Sequence, residues 1–180
     1  MPATHLALLR GINVGGKNKL PMKDLAALFV TAGCKDVRTY IQSGNVVFQA
    51  PAKVAARLSV LIAEGITGQF GYKAPVVLRT VEQLRDVVAH NPFLEAGVAE
   101  DKLYVLFLAD EPSPERVAAL DPNRSPPDAF IVRGREIFLH LPGGVADSKL
   151  TNAYFDSKLA TVCTGRNWRT VTTLLGVMEG

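Results

Sequence analysis

What most limits the fold of this chain is the order of patterns in its first eighty residues, where strand-length apolar runs and helical spacings follow one another as β-α-β-β-α-β. Leu6-Ala7-Leu8-Leu9 is an apolar run of strand length. Met22, Leu25, Leu28 and Phe29 then recur at a three-to-four spacing, the period of one helix face. Val37-Arg38-Thr39-Tyr40-Ile41 and Val46-Val47-Phe48 are rich in branched and aromatic residues, and Ser43-Gly44-Asn45 between them reads as a hairpin turn. Pro51 opens a second helix in which Val54, Leu58, Leu61, Ile62 and Ile66 keep helical spacing, and Gly71 stops it. Pro75-Val76-Val77-Leu78-Arg79 completes the set as a fourth strand, which makes the arrangement ferredoxin-like.

That order carries a functional consequence. A strand followed by a crossover helix and a second strand returns to the same starting end, so strands one and two run the same way and finish at one rim. Two polar loops leave those ends: Arg10-Gly11-Ile12-Asn13-Val14-Gly15-Gly16-Lys17, and Gln42-Ser43-Gly44-Asn45. Arg10, Asn13, Lys17, Gln42, Ser43 and Asn45 are therefore expected to converge as ligand-binding residues.

The start of the first helix strengthens this expectation. Pro21 suits the first helical position because it has no N–H to leave unpaired, which makes Leu20 the cap, and leucine offers no acceptor. The first-turn amides then need water or a ligand, and with Lys17, Lys19 and Lys23 nearby the natural ligand is an anion.

Gly11-x4-Gly16-Lys17-Asn18 comes within one residue of the nucleotide-binding P-loop. It lacks the hydroxyl residue that holds Mg²⁺, and Pro21 starts the helix later than a P-loop does. A simpler anion-binding glycine loop fits better.

Length and composition set outer bounds. At 180 residues, 48% of them hydrophobic, the chain is long enough for one ordinary domain or two small ones. Its longest apolar runs, such as 103–109, fall far below the roughly 18 residues that would span a bilayer. The opening Met1-Pro2-Ala3-Thr4-His5 lacks the basic start and apolar segment of a signal peptide, so a cytoplasmic, bacterial-style protein with no membrane partner is expected. Cys34 and Cys163 read as free thiols, and the scattered His5, His90 and His140 offer no metal-ligand spacing; neither a metal site nor a cofactor is expected.

The net charge of +3 does not by itself imply nucleic acid. Its distribution says more: residues 1–50 hold six Lys or Arg against two acids, whereas 101–150 hold six against eight. The positive excess surrounds the first loop, either as a ligand-binding feature or as an ordinary solvated face. RNA recognition through a ferredoxin-like sheet would need a stacking platform of aromatics; the first strand has none, and the third has Phe48 alone.

Beyond residue 80 the order begins again. Thr80-Val81-Glu82-Gln83 matches a capping box opening a helix that runs to about His90 and ends at Asn91-Pro92. Leu103 to Leu108 is a strand, Ser113-Pro114-Glu115 starts a helix, and Ala129 to Val132 and Ile137 to Leu139 form a hairpin. Lys149 to Leu159 reads as helical, with Asp147 or Ser148 before it as the cap. A last helix starts at about Trp168 with Val171, Leu174, Leu175 and Met178 on one face. Strands one and five are apolar on both faces, so their sheets are expected to be covered on both sides, by each other or by this terminal helix.

The expected fold is thus α+β: two ferredoxin-like (βαββαβ-type) subdomains related by duplication, plus a C-terminal helix. The expected boundaries are 1–80 for the N-terminal subdomain, 81–101 for the linking helix and loop, and 102–180 for the C-terminal subdomain with its terminal helix.

Among other constellations, Ser43 has no histidine placed by sequence to activate it, and Ser148-Lys149 is explained more simply by helix capping. Thr164-Gly165-Arg166-Asn167-Trp168 presents an arginine, an amide and the chain's single tryptophan at a helix start. Arg166, Asn167 and Trp168 could grip an anionic or planar group; equally, Asn167 could cap the helix and Trp168 belong to the core.

Four stretches in order resemble one bacterial family: Arg10 to Lys17, Tyr40-Ile41-Gln42-Ser43-Gly44-Asn45-Val46-Val47-Phe48, Val77-Leu78-Arg79-Thr80 with Asn91-Pro92-Phe93, and Arg166-Asn167-Trp168-x-Thr170-Val171. It is the domain-of-unknown-function family sixteen-ninety-seven, and the resemblance implies two similar α+β subdomains but no reaction. The functional expectation is a small protein binding an anionic or phosphate-bearing small molecule at the Arg10–Lys17 and Gln42–Asn45 rim. The alternatives are an enzyme, a hydrolase or transferase with Ser43 or Lys17 reactive at that rim, or an RNA- or protein-interaction module.

Overall fold

Strand β1 (Ala3–Leu9), helix α1 (Met22–Thr31), strands β2 (Lys35–Tyr40) and β3 (Asn45–Ala50), helix α2 (Ala52–Phe70) and strand β4 (Val76–Thr80) follow the order read from the sequence. The computed structural model describes residues 2–180; Met1, which opens the segment read as lacking a leader, lies outside them. The sheet order is β2-β3-β1-β4 with every neighbouring pair antiparallel. Because β1 and β2 are each antiparallel to β3, they run parallel to each other, as a crossover helix requires.

One face of this sheet carries Ala7, Leu9, Val46, Phe48 and Ala50, which form a core with Leu25 and Phe29 of α1 and Leu58, Ile62 and Ile66 of α2. The Phe29 and Phe48 rings sit 5.2 Å apart at its centre. Leu6, Leu8 and Val47, on the opposite face, are buried as well, which is why the strands lack an apolar–polar alternation.

Helix α3 (Val81–Ala89) and the short α4 (Pro92–Glu95) follow. The Thr80–Gln83 capping box closes as expected: the Gln83 amide donates to Thr80 Oγ1 at 3.2 Å and the Thr80 amide to Gln83 Oε1 at 2.9 Å. Then come β5 (Leu103–Leu108), α5 (Pro114–Ala118), β6 (Ala129–Arg133), β7 (Glu136–His140), α6 (Asn152–Leu159), β8 (Cys163–Asn167) and α7 (Trp168–Glu179). The second sheet has the order β6-β7-β5-β8, the same topology as the first.

The likeness reaches individual hydrogen bonds. Leu9 N donates to Gly44 O and Arg10 N to Pro75 O; in the other half Leu108 N donates to Arg135 O and Ala109 N to Val162 O. Leu6 faces Arg79 across β1 and β4, and Val105 faces Arg166 across β5 and β8. Both arginines are buried, and each stands one residue before the cap of a helix. The fold is α+β, two ferredoxin-like arrangements with a C-terminal helix. The compact units comprise residues up to Leu84 with Leu174–Gly180, and Arg85–Thr173. No helix among the described residues is long and apolar enough to cross a membrane.

The structure corrects three local expectations. Pro21, not Leu20, occupies the cap of α1, and the helix proper begins at Met22. Helix α6 begins at Asn152 rather than Lys149: Thr151 is its cap, accepting from Tyr154 N, while the Ser148 hydroxyl accepts from Leu150 N in the preceding turn. Thr164 to Asn167, read only as the approach to a helix start, is part of β8, whose register with β5 runs from Leu108–Cys163 to Tyr104–Asn167. Gly165 and Asn167, residues depleted from strands, are held extended there by pairing with an apolar central strand, which local propensity does not encode.

Candidate functional site

Both loops leave the same rim of the first sheet. The loop after β1 folds back on itself as a small hairpin: Asn13 N donates to Asn18 O at 3.0 Å, Lys17 N donates to Val14 O at 2.9 Å, and Val14 and Lys17 form an isolated bridge. Gly15 and Gly16 between them have φ of +57° and +74°, the pattern of a type I′ turn, which requires positive φ at both central positions. The P-loop-like spacing is thus a hairpin tip. Asn18 Nδ2 donates to the Gly11 carbonyl at 2.9 Å and closes the base of the loop.

Asn13 joins this loop to its neighbours. Its Nδ2 donates to Leu20 O and to Gln42 O, each at 2.9 Å, and its Oδ1 accepts from Leu20 N at 2.8 Å. The β2–β3 turn is pinned from its other side by Asn45, which is fully buried and donates to Tyr40 O at 3.1 Å and to Ser43 Oγ at 2.9 Å. Ile41, read from sequence as the end of a strand, lies in this turn with φ +49° and is 53% exposed. A branched residue rarely adopts that conformation; the bonds on either side of the turn hold it there. A third segment closes the rim: the Tyr72 hydroxyl donates to Lys19 O at 3.3 Å, and burial pushes that phenol's pKa up.

Beside the start of α1 these segments leave a depression of ≈ 600 Å³, within the range of small-molecule sites. Asn13 and Gln42 line it, together with Gly16, Leu20, Met22, Lys19 and Lys23. Arg10, Lys17, Ser43 and Asn45 are not among its walls. Arg10 follows the last residue of β1 and is half-buried, Lys17 sits in the hairpin bridge, and Ser43 and Asn45 belong to the turn's internal bonding. Lys19 and Lys23 are therefore the cations of the depression, one before Pro21 and one in the first turn of α1.

The electrostatics are one-sided. Leu25 N bonds to Pro21 O, so the amides of Met22, Lys23 and Asp24 are those of the first turn with no acceptor inside the helix, and Pro21 supplies no side-chain cap. These amides and the helix dipole present partial positive charge at the depression. The unit comprising residues 1–84 and 174–180 holds ten Lys or Arg against five acids, and residues 85–173 ten against twelve. Asp24, the first acid in the chain, lines the groove between α1 and α2 instead.

Arg166, Asn167 and Trp168 belong to the second unit, where each is engaged locally. The Arg166 guanidinium is buried and donates to Thr164 Oγ1 at 2.9 Å and Gly165 O at 2.7 Å. Burial pulls its pKa down to about 10, so it remains cationic at neutral pH. Asn167 caps α7 by accepting from Thr170 N at 2.8 Å, and Trp168 is buried. Among the described residues no group of three or more His, Cys, Asp or Glu could hold a metal ion.

Two βαββαβ arrangements of matching topology in one chain define a duplicated ferredoxin-like α+β protein. The chain belongs to the family described as "Protein of unknown function (DUF1697)", whose model matches residues 3–138. A similar solved structure is that of the conserved bacterial protein SP0830 from Streptococcus pneumoniae, with a TM-score of 0.72 and 21% identity over 99% of each chain. At that identity the likeness speaks for the fold. No curated protein matches.

Proposed function

We propose that the N-terminal unit binds an anionic or phosphate-bearing small molecule in the depression beside α1. The observation that carries this reading is the open helix start. Three backbone amides without an intrahelical acceptor adjoin a depression walled by Lys19 and Lys23, and a phosphate oxygen accepts from such amides while both lysines offset its charge. Gln42 adds a neutral donor and acceptor to the lining, and Leu20 and Met22 add apolar surface. Asn13 and Asn45 serve this site by positioning: their amides are committed to holding the two loops in register.

The binding reading stands ahead of the enzyme reading because Ser43 Oγ is engaged by Asn45. His5, the histidine of that unit, lies at the other end of β1. A serine nucleophile needs a base within hydrogen-bond reach.

The test is an NMR titration of the full chain with inorganic phosphate and a panel of phosphate monoesters, preceded by native mass spectrometry of freshly purified protein to detect a retained molecule. Saturable shifts are expected at the Met22, Lys23 and Asp24 amides, weakened by Lys19→Ala with Lys23→Ala and by added salt. Unmoved amides, or equal binding by the double variant, would sink the proposal.

A further inference from the structure

We propose that the outer groove between α1 and α2 is a two-fold interface between two copies of this chain. The groove has a volume of ≈ 590 Å³, and Leu28, Val54 and Leu61 contribute to its apolar floor. Gly65 gives it depth, since a Cβ there would come within 3.1 Å of Leu28 Cδ2. A glycine in a helix interior costs about 1 kcal/mol relative to alanine, and close approach of the neighbouring helix is what it permits here.

The helices run antiparallel because each follows one of two antiparallel strands. The end of α1 accordingly lies beside the start of α2, where a Cβ on Gly33 would sit 3.7 Å from Val54. Charge is therefore divided along the groove. Asp24, in the first turn of α1, is at one end; Lys53 and Arg57, in the first turns of α2, are at the other. None of the three carries an ion pair among the described residues. On the same outer faces Val30, Val60 and Leu61 are 61%, 59% and 38% exposed, so large aliphatic side chains stand in water.

A groove negative at one end, positive at the other and apolar between them complements itself under a two-fold rotation. Turning a second copy by half a turn about an axis through the middle sets each Asp24 against the other copy's Lys53 and Arg57, with Leu61 near the axis. Such an isologous contact uses one patch twice. A uniformly acidic or basic partner would meet its own sign at one end. The apolar centre supplies the affinity, and the charged ends fix the orientation.

Sedimentation equilibrium of the full chain tests this directly. A concentration-dependent dimer is expected, dissociated by Leu61→Glu and weakened roughly tenfold or more at low salt by Asp24→Lys, which sets like charges together. Adding Lys53→Glu and Arg57→Glu to Asp24→Lys reverses both ends and restores the dimer. All three positions are exposed, so this arm decides the matter even if Leu61→Glu fails to fold. A monomer at every concentration overturns the proposal, as does a dimer indifferent to these changes or a triple variant that does not recover. A monomer that binds a small apolar dye in the groove also overturns it and gives the groove to a small molecule.

Discussion

The side-chain amide of Asn13 reaches the backbone carbonyl of Gln42 at 2.9 Å, across 29 positions of sequence, and so ties the loop after β1 to the turn after β2. The same side chain holds both polar backbone groups of Leu20, at the entry to α1. Its φ of +53° is one that asparagine tolerates better than most residues. Asn13→Ala removes three hydrogen bonds and adds left-handed strain, an expected loss of about 2–4 kcal/mol in urea unfolding. Asn13→Asp keeps the acceptor for Leu20 N but turns a carboxylate oxygen toward the Leu20 and Gln42 carbonyls, so it is expected to recover little of that loss at neutral pH.

Gly44 and Gly16 both have positive φ, +85° and +74°, yet they should respond very differently to substitution. A Cβ on Gly44 would lie 2.8 Å from Leu9 Cβ and 3.0 Å from Ile12 Cδ1, inside a turn whose carbonyl accepts from Leu9 N. A Cβ on Gly16 meets nothing within 4 Å. Gly16→Ala is expected to cost only the backbone strain, about 1–2 kcal/mol. Gly44→Ala adds an overpacking clash of about 1–3 kcal/mol and moves the rim. Thermal unfolding of the two variants side by side reads the difference.

The elements that pattern reading placed are those whose signal is local. Helix α2 is bounded by Pro51 and Gly71 as expected, because a proline start and a left-handed glycine stop are backbone properties of those residues. Strand β8 escaped because Cys163-Thr164-Gly165-Arg166-Asn167 becomes a strand only through its ladder to β5. Asp147, Ser148 and Thr151 are all competent caps for α6, and tertiary packing selects Thr151. At the rim, chain direction brought the two loops together correctly. It did not say which polar residues face outward. Asn13 and Asn45 look like ligand contacts because asparagine in a glycine-rich loop is polar, and that same side chain is what closes such loops on themselves. Glycine spacing likewise does not separate a phosphate-cradling loop from a type I′ turn, since both call for positive φ.

Asn167 illustrates a cap that sequence left open between two roles. Its oxygen accepts from Thr170 N at 2.8 Å, so Asn167→Ala should cost about 1 kcal/mol, with Asn167→Ser or Asn167→Asp restoring most of it. Denaturation followed by Trp168 fluorescence measures this, since that ring, next in sequence, passes from a buried site to water.

Cys34 gives the last prediction, a pH dependence with a definite sign. It is buried immediately after α1, its amide bonded to Phe29 O at 3.0 Å, and burial pushes its thiol up to about 11. In the unfolded chain a thiol ionises at about pH 8.5. Below that pH both states keep the proton and the thiol has no effect on the pH dependence of stability. Between about 8.5 and 11 the unfolded chain releases a proton that the folded one retains, so ionisation favours unfolding progressively as the pH rises. Cys34→Ala removes this contribution while adding a cavity penalty that does not depend on pH. The stability difference between wild type and variant should therefore be constant from pH 7 to 8 and narrow toward pH 10.5, read from urea midpoints at each pH. Native protein should also resist thiol-reactive dye at pH 8 until denaturant is added. A difference that stays flat to pH 10.5, with rapid labelling of the folded chain in a Cys163→Ala background, would mean that the Cys34 thiol is open to solvent.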